Sequence, residues 1–167
     1  MVRFKNKLVN ADKYLFYSIN GLHHNYLDKA FCMLTELGGV FFHVLLVLTL
    51  TAFPSTRAIG IKLGIIEIVV TLVVQIFKYL VARVRPYDNL LNVIALRTEK
   101  DFSFPSGHTA TSFACAVFLS SMLSGVGLLV MLLAALIGYS RIYLGVHYPS
   151  DVIAGGLIGA LFTLILR

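Results

Sequence analysis

Residues 60–81 read GIKLGIIEIVVTLVVQIFKYLV, with charge only at Lys62, Glu67 and Lys78. An apolar run of about 20 residues is what an α-helix needs to cross a hydrocarbon core of about 30 Å. The stretch therefore predicts a transmembrane helix. Working outward, similar runs fall at 31–53, ending before Pro54, at 106–123, at 126–144, and from Asp151 to the C-terminus. Ser124 and Gly125 read as a tight turn between two of them. The whole composition agrees: 58% of the 167 residues are hydrophobic and 13% charged. Soluble domains carry about a quarter charged residues, so this chain has too little charge to coat a soluble surface. The expected fold class is all-α. It is an integral membrane helical bundle with about five transmembrane helices and an N-terminal amphipathic interfacial helix.

The expected organisation is one domain over 1–167, with the interfacial helix in 1–30 and the bundle in 31–167. In the first part Leu8, Val9, Leu15, Phe16, Ile19 and Leu22 recur at helical spacing between Arg3, Lys5, Lys7, Lys13 and Lys29. This segment is too short and polar to span. It lies in the bilayer interface or packs on the end of the bundle. Gly21 and the pair His23–His24 end it. No cleavable signal peptide is expected, because the first residues are basic and polar.

The formal charge is +6. Many of the basic residues flank apolar runs, where they meet lipid headgroups. The bilayer is the expected partner; with no supporting motif, nucleic acid is not. Cys32 and Cys115 sit inside apolar runs and read as packing residues. His23 and His24 lack accompanying ligands, so no metal site is expected.

The polar residues gather at one end. Two spans separate the 82–105 loop from the 145–150 loop, so both fall on the same side of the membrane. Lys78 and Arg85 lie seven apart, and share a helix face if the helix continues. Pro105-Ser106-Gly107-His108 is a turn entering a helix, whose free N–H groups favour an anion. Arg141 adds a cation, and guanidinium forks match phosphate oxygens. His147 and Asp151 are close in sequence, and a carboxylate beside an imidazole fixes its tautomer. Ionisable groups at membrane depth are costly and mark function. Three cations, two histidines and an aspartate on one side suggest phosphate chemistry.

Those residues carry a resemblance. Lys78 through Arg85-Pro86 is similar to the first motif of the type 2 phosphatidic acid phosphatase superfamily. Pro105-Ser106-Gly107-His108 is similar to its second, and Ser140-Arg141, His147 and Asp151 to its third. The motifs span 78–151, and the span pattern about 31–166. The resemblance implies that His147 attacks phosphorus, that Asp151 orients it, and that His108 protonates the leaving group. It implies that Lys78, Arg85 and Arg141 hold the phosphoryl oxygens, helped by Ser106 and the Gly107 backbone. It implies no metal and no cofactor, inhibition by vanadate, and a membrane lipid phosphate or diphosphate as substrate, with undecaprenyl diphosphate first. Phosphatidylglycerophosphate, phosphatidic acid and lipid phosphotransfer follow. A non-catalytic anion-binding protein or transporter is the reading from a different class.

The resemblance places the site at the outer face of the cell membrane in a multi-pass protein. Lys and Arg counts point the other way, because the site end is the more basic. Membrane members of the family commonly have six spans, against five here. Glu67, about 16 Å along the helix from Lys78, is expected to pair inside the bundle, as are His43 and Gln75. Arg83 is expected to point away from Arg85 into the headgroup level. Glu36 and Tyr87 lie near the site.

Overall fold

The computed structural model describes residues 2–122 and 125–167, and the side chains of these except at 2–6 and 8. The expected end of a span at Leu123, the Ser124 half of the turn, and the side chains of Arg3, Lys5 and Leu8 lie outside the described residues. The elements are α1 (Val2–Asn20), α2 (Asn25–Leu34), a 3₁₀ turn (Thr35–Gly38), α3 (Val40–Ala52), α4 (Arg57–Val81), α5 (Pro86–Asn89), α6 (Gly107–Met122), α7 (Gly127–Tyr143) and α8 (Pro149–Leu166). There is no strand among the described residues.

α4 shows why the chain folds as a membrane bundle. Leu63, Ile66, Val70 and Val74 are buried and make one stripe, packed on Ala110, Ala114, Cys115 and Phe118 of α6. Ile61, Ile65, Ile68, Leu72 and Ile76, on the remaining faces, are exposed. A helix that is apolar all round and buried on only one stripe presents its other faces to lipid. The stretch Arg57–Asn89 and α8 are each long and apolar enough to cross a bilayer. α6 and α7, at 16 and 17 residues, are shorter than the roughly 20 residues a span needs.

α6 is the centre, and α8 lies almost backbone to backbone with it. A Cβ on Gly155 would stand 2.4 Å from the Ser106 carbonyl oxygen, and one on Gly159 would stand 2.1 Å from that of Ala110. Only glycine permits that approach, as the small-xxx-small spacing predicts. The contact fixes the start of α6 against the start of α8.

Two expectations need correction. The run 31–53 is not one helix: α2 and α3 meet at a 49° bend through Thr35–Gly38. Gly39 is extended there and caps α3. The bend turns Thr35 inward to the end of α7, where its hydroxyl meets Arg141. Nor does the helix continue from Lys78 to Arg85. Ala82 has φ 44, in the left-handed region, and α4 stops at Val81. Pro86 then holds Arg85 out of helical conformation.

Of residues 1–30, Val2–Asn20 form α1, which packs on the end of the bundle, while residues 25–30 belong to α2. Phe16 is fully buried against Ile142 and Tyr148. Asn20 Nδ2 donates to the carbonyls of Ile94 and Tyr143, both at 2.9 Å. Gly21 leaves the helix, His23 pairs with Asp28 at 2.9 Å, and His24 caps α2. In the bundle interior Glu67 pairs with a polar group, as expected; the partner is His43, whose Nδ1 lies 2.6 Å from its carboxylate.

Candidate active site

The chain doubles back between α7 and α8, and this turn builds half of the site. Val146 and His147 both donate backbone N–H groups to the Arg141 carbonyl, at 3.2 and 3.3 Å. Gly145 makes the reversal with φ 81, where a Cβ would lie 2.6 Å from the Ile94 carbonyl. Tyr148 then caps α8, and Asp151 at the third helical position accepts its N–H at 2.9 Å. Cap chemistry thus fixes the carboxylate before catalysis enters.

His147 Nδ1 faces Asp151 Oδ2 at 3.6 Å, close enough for charge interaction and longer than a hydrogen bond. Its Nε2 faces Arg85 at 3.4 Å. The ring is buried, and burial pushes its pKa down to about 4. Asp151 pulls upward, while Arg141 and Arg85 oppose protonation. At neutral pH His147 is therefore the uncharged imidazole, with the lone pair a nucleophile needs.

A cavity of about 160 Å³ opens at this point. Lys78, Arg85, Arg141, His108, His147 and the Gly107 backbone all line it. The six come from the end of α4, the loop after it, the start of α6, the end of α7 and the turn before α8. Lys78 and Arg85 do meet, not along one helix face but across the chain break at Ala82. Ser106 does not line the cavity. Its side chain is buried and accepts from Thr109 Oγ1 at 2.9 Å, while its N–H donates to the Asp151 carbonyl at 3.0 Å.

Several participants have no signal in the motif spacing. Arg83 leaves the line of Arg85, as expected, but goes inward rather than to the headgroups. Its Nη1 donates to Asp151 Oδ1 at 2.5 Å and its Nη2 to Asp12 Oδ2 at 2.7 Å. Asp12 also accepts from the Ser150 N–H and hydroxyl, at 2.9 and 2.6 Å, which ties α1 to the catalytic end. Ser103 donates to Asp151 Oδ2 at 2.6 Å. The loop before α6 brings Asp101 to Lys78, at 3.1 Å, and to Arg85, and brings Glu99 to Arg141. Burial raises the Asp101 carboxyl, but the charges of Lys78 and Arg85 outweigh it and hold the group below its usual range. Tyr87 anchors Glu99: its hydroxyl donates to the Glu99 carbonyl at 2.8 Å and accepts the Glu99 N–H at 3.1 Å. Glu36 pairs with Arg97 at 2.6 Å on the surface.

Residues 59–167 match the PAP2 superfamily model. The chain belongs to the PAP2 superfamily. This PAP2 member is 34% identical to an undecaprenyl-diphosphatase of Sulfolobus acidocaldarius, over 87% of this chain and 72% of that protein. Its fold is similar to the crystal structure of Aquifex aeolicus LpxE, with a TM-score of 0.80 and 35% identity, covering 91% of this chain and 92% of that one. It is also similar to a PAP2 type phosphatidylglycerolphosphate phosphatase from Bacillus subtilis, with a TM-score of 0.82 and 26% identity, covering 96% and 85%. Family and apolar helices together make this PAP2 chain a membrane-embedded lipid phosphatase.

Proposed function

We propose that the chain dephosphorylates undecaprenyl diphosphate to undecaprenyl phosphate through a phosphohistidine at His147, without a metal. The observation that carries the chemistry is the single cavity in which the neutral His147 stands among Lys78, Arg85 and Arg141, with His108 beside it. His147 Nε2 attacks phosphorus. The bond from phosphorus to the leaving oxygen breaks as His108 delivers a proton to that oxygen. Lys78, Arg85, Arg141 and the N–H groups at Gly107 hold the equatorial oxygens, where charge develops. Water then attacks the phosphohistidine, His108 takes its proton, and His147 leaves neutral. Asp151 balances charge on the imidazole during the first step.

The lipid part has a route. An apolar groove between α3 and α4, of about 350 Å³, is lined by Val44, Val47, Leu48, Ile68 and Leu72 and shares Val40, Thr71 and Thr111 with the active-site cavity. A hydrocarbon chain lying there stays in the bilayer while its phosphate reaches the cations. The reading includes five spans: the α2–α3 pair, α4, α6, α7 and α8, with α1 at the interface. It puts the site at the outer face of the cell membrane. The basic bias of the site end argues the other way, so labelling of a Lys100→Cys variant by an impermeant thiol reagent in intact cells decides the orientation.

A second substrate, phosphatidylglycerophosphate, is favoured by the likeness to the Bacillus subtilis enzyme over 96% of this chain. The test is phosphate release by purified protein with EDTA present. Undecaprenyl diphosphate, phosphatidylglycerophosphate and phosphatidic acid are offered in turn, with His147→Asn beside the wild type. Fast release from undecaprenyl diphosphate, lost in the variant, is expected. Release equal in the variant would refute the mechanism.

A further inference from the structure

All three phosphate-binding cations already hold a carboxylate. Asp101 spans Lys78 and Arg85, and Glu99 takes Arg141. The pairs are lopsided. The Lys78, Arg85 and Arg141 side chains are 4%, 3% and 2% exposed, whereas Asp101 and Glu99 are 46% and 32% exposed. The cations are fixed in the protein, and the anions stand on the water side. Both carboxylates also line the active-site cavity.

A buried cation without an anion is costly, so the loop carboxylates stabilise the empty site. They also compete with whatever anion arrives. A phosphate must displace them, and its charge decides the contest. A phosphomonoester is mostly dianionic at pH 7, its second ionisation lying near pH 6, and a diphosphate carries at least as much charge. A phosphodiester carries one negative charge. The bilayer around the site is rich in phosphodiester headgroups, and bare cations would collect them.

Building on the phosphatase reading above, we propose that Glu99 and Asp101 are a charge filter. They act as built-in competitors that keep monoanionic phosphodiester lipids out of the cation site, and yield to terminal phosphates and diphosphates. Tyr87 sets the register by holding both backbone groups of Glu99. After displacement the two carboxylates turn to water, which their exposure permits at small cost.

The test uses the full-length protein in zwitterionic detergent. Isothermal titration with inorganic phosphate and with dimethyl phosphate compares a dianion with a diester monoanion. Wild type should bind inorganic phosphate and discriminate strongly against dimethyl phosphate. In the double variant Glu99→Gln/Asp101→Asn both dissociation constants should fall by roughly tenfold or more, because each lost carboxylate removes a competing contact-range charge pair, and dimethyl phosphate, excluded from the wild type, should then bind measurably. Each single variant should lie between.

The second arm measures hydrolysis of a lipid monophosphate in phosphatidylcholine micelles as phosphatidylglycerol replaces the carrier lipid. Wild type should be insensitive, and the double variant inhibited with a rising KM. Equal affinity of wild type for both phosphates overturns the proposal without any variant. So does a folded double variant that remains insensitive to phosphatidylglycerol. Binding needs no turnover, so selective binding without hydrolysis of any lipid would refute the phosphatase reading and leave the filter standing. Hydrolysis without discrimination would refute the filter alone.

Discussion

Arg83 Nη1 donates to Asp151 Oδ1 at 2.5 Å, and the same guanidinium lies 3.8 Å above the Tyr148 ring. Asp151 in turn faces His147. In the proposed mechanism Arg83 is thus a positioning residue that acts through Asp151. Arg83→Ala should lower kcat by about 10²-fold, the usual scale for a small misplacement of a catalytic group, with KM nearly unchanged. Arg83→Lys, which keeps charge but loses the fork, should recover part of it. A KM effect with kcat intact would show that Arg83 binds substrate instead.

In the proposed mechanism His108 has a separable role. His108→Asn should reduce hydrolysis of a lipid phosphate by about 10²–10⁴-fold, the range for a lost general acid. The first step should be largely restored with p-nitrophenyl phosphate, whose leaving group needs no proton. Stopped-flow release of nitrophenolate checks this. Equal losses on both substrates would remove His108 from leaving-group protonation.

The pH dependence follows from the depressed pKa of His147. An ordinary histidine titrates near 6.5, and here protonation waits until about 4. The acid limb of kcat/KM, which reports the free enzyme, should therefore fall near pH 4 where this group sets it, not near 6.5. For stability the sign is the same. Above 6.5 the ring is neutral both folded and unfolded, so the contribution is intact. It is lost as pH falls from 6.5 through 4, because the unfolded chain takes up the proton first. A kcat/KM profile through that range tests the titration, and a midpoint at 6.5 would mean a solvated ring.

The α6–α8 contact predicts a stability effect remote from chemistry. Gly159→Val puts side-chain carbon where the Ala110 carbonyl oxygen lies at 2.1 Å from a Cβ position. It should destabilise by about 1–3 kcal/mol, as overpacking does. It should also lower activity, since the same contact sets the start of α6 against the start of α8. A thermal unfolding curve in detergent measures the first part. Gly125→Ala, at a turn where a Cβ would meet nothing within 4 Å among the described residues, should cost only the strain of its positive φ.

The long apolar run of α4 and the motif residues were legible because each signal is local. Spans are composition, and Lys78, Arg85, His108, Arg141, His147 and Asp151 are set by spacing. Arg83 was misjudged because its direction depends on one backbone angle at Ala82, which no residue type announces. Asp12 was missed because its partner, Arg83, lies 71 residues away. Glu99 and Asp101 were invisible as site residues because a loop has no periodicity to say where its side chains point. The bend at Thr35–Gly38 did carry a signal, Thr35-Glu36 followed by the Gly38-Gly39 pair, but a mean hydropathy over 31–53 averages those breakers away.

The measurement closest to the central claim is rapid-quench trapping with ³²P-labelled lipid phosphate in EDTA, followed by denaturing separation and peptide mapping. The expected result is a label on the peptide holding His147 that is stable to alkali and labile to acid. It should accumulate in His108→Asn when an activated leaving group is used, and be absent in His147→Asn. Hydrolysis at full rate with no labelled protein, or label retained in His147→Asn, would contradict a phosphohistidine at His147.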